Sequence, residues 1–113
     1  MSLPHPNLDQ INLSNVLAAL GDETRLAIVS QLARNNDVPM NCWQFLELSS
    51  RTNLSYHFAK LREAGITLTE VSGTSRLISL RRAELDRRFP GLLDAIVETA
   101  QQAPVPDDQA WRD

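Results

Sequence analysis

The chain has 113 residues, 42% of them hydrophobic and 22% charged, with a formal net charge of -3. That length fits one domain with a modest core, and the composition is that of a globular protein, not a disordered or fibrous one. A single cysteine, Cys42, excludes an intramolecular disulfide, and neither a signal peptide nor an apolar run of roughly 20 residues is present, so a soluble cytoplasmic protein is expected.

Residues 1–6, with Pro4 and Pro6, are expected to form a flexible arm, and residues 7–102 a single folded domain. From Asn7 to Leu20, the residues Leu8, Ile11, Leu13, Val16, Leu17 and Leu20 recur at helical spacing and cover more than one face. A terminal helix with such wide apolar coverage points to packing against a second subunit as well as its own core. Gly21 ends it and Asp22 can cap the next helix, which runs to about Ala33. Leu26, Val29 and Leu32 form its buried stripe, with Ile28 and Ala33 beside it. Asn35, Asn36 and Asp37 are turn formers, and Val38, Pro39 and Met40 read as an extended connection. Asn41 can cap a short third helix from Cys42 to about Leu48.

The stretch from Ser49 to Gly65 predicts a helix with Ser50 as N-cap and Gly65 as the left-handed C′ residue. Leu54, Phe58 and Leu61 make one apolar stripe. Thr52, Tyr56, Ala59, Lys60 and Glu63 point the other way, with Arg51, Asn53 and Ser55 on the flanks near the start. Hydrogen-bonding side chains crowded at the N-terminal end of a short helix suit insertion into a DNA major groove. On periodicity alone an ordinary amphipathic surface helix is the commoner reading.

The pattern then changes. ITLTEV and SRLISL, separated by Ser72-Gly73-Thr74, read as a β-hairpin, and a hairpin directly after a helix-turn-helix is a wing. Arg76 falls just past its tip, where a backbone phosphate would be met. RRAELDRRF predicts a helical connection over residues 81–88, and Pro90 suits the first position of a last helix carrying Leu92, Leu93, Ile96, Val97 and Ala100. Residues 103–113 are expected to be a disordered tail, with Trp111 either exposed or docked on a partner. The expected class is mainly α (α+β), in the order α-α-α-α-β-β-α. Charge is unevenly placed. Between Arg51 and Arg82 six basic residues (Arg51, Lys60, Arg62, Arg76, Arg81, Arg82) face two acids, a local +4 within an otherwise acidic chain.

ALGDETRLAIVSQL and NLSYHFAKLREAGI, followed by the glycine-turned hairpin and RRAELDRRFPGLLDAI, resemble the ArsR-type bacterial transcriptional repressors over about residues 8–100. The resemblance implies a winged-helix homodimer whose first and last helices build the interface, through Leu8, Ile11, Leu93, Ile96 and Val97. It also implies an inverted-repeat operator near the protein's own promoter. Many relatives sense metals through closely spaced cysteines at the start of the helix matching Cys42–Leu48. Here Cys42 stands alone, and Asp94 and Glu98 in the last helix have no histidine beside them, so no metal and no cofactor is expected. Cys42 is a candidate redox site or a packing residue, and His57 either a half-buried histidine bonded to backbone or a phosphate contact. Three ways of releasing DNA stay open: a small apolar ligand between the terminal helices, a redox change at Cys42, or no agent at all, with expression level alone regulating.

The expected function is sequence-specific DNA binding by a dimeric repressor, with Arg51, Thr52, Asn53, Ser55 and Tyr56 facing bases or adjoining backbone and Lys60, Arg62 and Arg76 holding phosphates. A winged helix serving only protein interaction is the alternative; Lys60, Arg62 and Arg76 count against it and the net charge of -3 counts mildly for it. No paired carboxylates, nucleophile motif or glycine-rich phosphate loop supports an enzyme.

Overall fold

The computed structural model describes residues 3–102. In chain order these form a 3-10 turn (Leu8–Gln10), α1 (Leu13–Leu20), α2 (Glu23–Arg34), β1 (Met40–Asn41), a second 3-10 turn (Cys42–Phe45), α3 (Arg51–Glu63), β2 (Thr67–Ser72), β3 (Ser75–Leu80), α4 (Arg82–Arg88) and α5 (Leu92–Gln102). The strands make an antiparallel sheet in the order β1-β3-β2, with Thr67 opposite Leu80 and Met40 opposite Ile78. Helices packed on one side of such a hairpin sheet form a winged helix-turn-helix of the α+β class. No helix among the described residues is long and apolar enough to cross a membrane.

Caps set most helix starts. Asp22 accepts from the Arg25 N–H and begins α2, and Ser50 accepts from the Asn53 N–H and begins α3. The hairpin closes on a two-residue turn, Gly73 taking φ +60° at its first position. The core is built from Ile28, Val29 and Leu32 of α2, Leu54, Phe58 and Leu61 of α3, and Phe45, Ile66 and Ile78. Phe45 and Phe58 meet edge to face at 5.5 Å. Each such side chain contributes about 1.5–3 kcal/mol on burial. Leu26, expected in the α2 stripe, is only half-buried, and Ile28 takes the fully buried place.

Several expectations are corrected. The continuous helix from Asn7 to Leu20 is broken at Ile11–Asn12, because Asn12 sits in extended backbone and its side chain accepts the Asn15 N–H to start α1 afresh. The break turns Ile11 fully into the core. The third helix shrinks to the 3-10 turn Cys42–Phe45, because Met40 and Asn41 just before it are committed to pairing with β3. Pro90 is not the first residue of the last helix. Gly91, at φ +82°, intervenes, and its carbonyl accepts the Ala95 N–H as α5 begins.

Within the expected arm, His5 and Pro6 each make a hydrogen bond to the folded domain. His5 Nε2 accepts the Thr69 N–H at 2.9 Å, and the Pro6 carbonyl accepts from Arg81 at 2.8 Å. The Thr69 N–H lies on the outer edge of the sheet, so His5 satisfies a donor that an edge strand would otherwise leave open. The expected helix over residues 81–88 is present as α4. The tail at residues 103–113, with Trp111, lies outside the described residues.

Candidate nucleic-acid interface

Burial of Leu54, Phe58 and Leu61 decides which face of α3 is left for a partner. Arg51, Thr52, Asn53, Ser55 and Tyr56, the five residues expected to face bases, are all exposed around its N-terminal half. At helical spacing Thr52 and Tyr56 point directly away from the core. Two grooves flank them. One lies between α3 and the hairpin tip, lined by Arg51, Ser55, Thr74 and Arg76, with Cys42, Trp43 and Leu46 on its floor and rim. The other lies between α3 and α1, lined by Tyr56, Lys60, Glu63 and Asn15.

The cations sort into two groups that their sequence positions do not reveal. Arg51 and Arg76 share the hairpin groove, and Lys60 stands 5.5 Å from the centroid of the Tyr56 ring. That contact steers both side chains and contributes about 0.5–1 kcal/mol. Among the described residues, no carboxylate pairs with Arg51, Lys60 or Arg76. Of the other three, Arg81 and Arg82 are used inside the molecule. Arg81 is buried, bonded to Glu84 and to the Pro6 carbonyl. Arg82 holds Asp37 and Asp94. Arg62 is half-buried beside His5, its Nε without a hydrogen-bond partner among the described residues. Two residues apart on a helix, Lys60 and Arg62 lie on opposite flanks, so they do not form one phosphate grip. The local +4 therefore overstates the free positive charge.

His57 is half-buried, as one of its two readings had it, but its partner is a side chain and not the backbone. Its Nδ1 lies 3.0 Å from Nη1 of Arg25 and 3.8 Å from Asp22, in the partly buried seam between α2 and α3. Asp22 is held below the ordinary carboxylate range, first by the hydrogen bond from the Arg25 N–H. DETR carried the signal for this seam in the cap spacing of Asp22, but the contact to His57 spans distant parts of the chain.

Cys42 is half-buried at the start of its 3-10 turn, with Phe45 buried behind it and Trp43 61% exposed. No group of three or more His, Cys, Asp or Glu among the described residues could hold a metal. The residues named for a dimer interface divide. Ile11, Leu93 and Val97 are used by the chain's own core, while Leu8 and Ile96 are half-buried. The large apolar side chains that α1 leaves outside are Leu13 and Leu17, 45% and 47% exposed. They project outward because Val16, Ala19 and Leu20 take the inward stripe.

A helix-turn-helix domain family matches residues 20–71, the segment from the end of α1 through most of β2. The chain is also 36% identical over 90 residues to the uncharacterized HTH-type transcriptional regulator YceK of Bacillus subtilis (strain 168), which spans 78% of this chain and 88% of that relative. The match runs through the cap, turn and exposed helix face described above, and the chain belongs to the helix-turn-helix transcriptional regulators, which act by binding DNA and are not enzymes.

Proposed function

We propose that the protein is a cytoplasmic ArsR-type repressor that binds an inverted-repeat operator as a homodimer. The observation that carries this reading is the polar N-terminal face of α3 with Arg51, Lys60 and Arg76 around it, none of them paired with a carboxylate among the described residues, on a chain whose net charge is -3. α3 enters the major groove, Thr52, Asn53 and Tyr56 meet base edges, and Arg51 and Arg76 hold the backbone on the hairpin side. Two copies related by a two-fold axis place their recognition helices roughly 34 Å apart, on successive major grooves. Leu13 and Leu17 support the dimer, since two leucines one turn apart on an outward helix face lose apolar exposure when a second copy covers them.

The test is a salt titration of binding to a duplex from upstream of the protein's own coding sequence and to a scrambled duplex. The expected result is tighter binding to the first at every salt concentration, both affinities falling as salt rises. Equal affinity for the two duplexes would overturn specific readout, and no binding to either would favour a winged helix used for protein interaction.

A further inference from the structure

We propose that Arg25 is the positioning residue of the recognition helix, holding the rotation of α3 through a hydrogen bond to His57; this rests on the DNA-reading role of α3 given above. Arg25 stands in the first turn of α2, where its own N–H is fixed by Asp22 at 3.0 Å. Its guanidinium Nε donates to the Ala19 carbonyl in the last turn of α1, and Nη1 lies 3.0 Å from Nδ1 of His57 on α3. One planar group thus joins three helices. An arginine donates and never accepts, so Nδ1 of His57 must present its lone pair and the ring proton must sit on Nε2.

The apolar stripe sets which face of α3 is buried, and a hydrogen bond adds a directional restraint on its rotation. Leu54, Phe58 and Leu61 resist its removal from the core, but apolar attraction is non-directional. A roll of about 20° about the helix axis moves a side chain at a radius of about 5–6 Å by roughly 2 Å, enough to break a base-edge hydrogen bond. His57 sits on the same flank as Asn53, one turn before it, and Lys60, one turn after it. A directional bond there opposes that roll beside a residue assigned to bases and a residue assigned to phosphate. Asp22, at 3.8 Å from Nδ1, is too far to replace Arg25 as the hydrogen-bonded partner.

Two measurements on the full chain test this. A long-range proton–nitrogen correlation spectrum of the free protein reads which ring nitrogen of His57 carries the proton; the expected form is Nε2–H, and an Nδ1–H form overturns the bond. Affinities for the upstream and scrambled duplexes are then compared for the wild type, Arg25→Lys, His57→Leu and His57→Asn, well below each variant's melting temperature. Lysine cannot fork to both Ala19 and His57, so Arg25→Lys is expected to lose about tenfold in preference for the upstream duplex while scrambled-duplex affinity holds. His57→Leu should lose the preference likewise. His57→Asn, whose amide oxygen can accept in place of Nδ1, should recover most of it. A parallel loss for both duplexes, or an unchanged preference in Arg25→Lys, would mean that Arg25 acts on stability alone and overturns the proposal. A wild type that never prefers the upstream duplex overturns the DNA-reading role itself, an outcome separable from the ring-proton result.

Discussion

Gly65 lies directly beneath Ile11: a Cβ added to Gly65 would stand 2.5 Å from Cγ1 and 2.7 Å from Cδ1 of that side chain. The glycine does two jobs at once. At φ +86° it ends α3, its N–H bonding the Arg62 carbonyl while the Ile66 N–H bonds the Leu61 carbonyl. It also leaves the space in which Ile11, brought round by the break before α1, completes the core. Gly65→Ala should therefore cost about 1–2 kcal/mol for its left-handed backbone and about 1–3 kcal/mol more for displacing Ile11. Gly73→Ala at the hairpin turn meets nothing within 4 Å and should cost only the backbone part. Urea denaturation of the two variants checks the ranking; equal losses would show that the Ile11 contact contributes nothing.

Arg76 and Arg82 should separate binding from stability. Arg76→Ala is expected to weaken binding to upstream and scrambled duplexes about equally and to lower the salt slope by about 1, the mark of one lost phosphate contact. Arg82→Ala removes the partner of Asp37 and Asp94, so it should lower stability by about 1 kcal/mol, given partial exposure of these groups, and leave the salt slope alone. A reduced salt slope in Arg82→Ala would contradict the assignment of that arginine to internal pairing.

His5 should make stability depend on pH through its bond to Thr69. Burial first, then the charges of Arg81 and Arg62, hold its imidazole below the ordinary value of 6.5, with Glu84 opposing. The folded chain thus favours neutral His5, which can accept the Thr69 N–H, whereas the unfolded chain takes up a proton more readily. The stabilisation is complete above pH 6.5 and is lost as pH falls through the lowered folded value. Melting temperatures measured from about pH 7.5 to about pH 5 should fall, and His5→Gln should flatten that fall. An identical pH profile in the variant would remove His5 as the cause.

Leu17→Glu should give a monomer in sedimentation velocity with helix content intact, because Leu17 is outside the chain's own core. Leu93→Glu, by contrast, buries a charge inside the chain and should unfold it. A Leu17→Glu protein that sediments as a dimer would place the interface elsewhere.

What the sequence determined by itself is the local part of the molecule. The span of α3 from Ser50 to Gly65, the cap at Asp22 and the hairpin across Gly73 follow from hydrogen bonds closed within a few residues, so spacing and residue type were enough to read them. The exposed face of α3 follows as well, because the buried stripe of Leu54, Phe58 and Leu61 leaves one side free. Tertiary structure decided everything that depends on a distant partner. Met40 and Asn41 became a strand only because β3 lies beside them, and residues expected as a loose arm acquired Thr69 and Arg81 as partners. The same reason divides the arginines: among the described residues Arg51 and Arg76 meet no carboxylate, while Arg81 and Arg82 meet Pro6, Asp37, Glu84 and Asp94. A count along the chain gives all four the same charge, but only the fold determines which of them has already been neutralised.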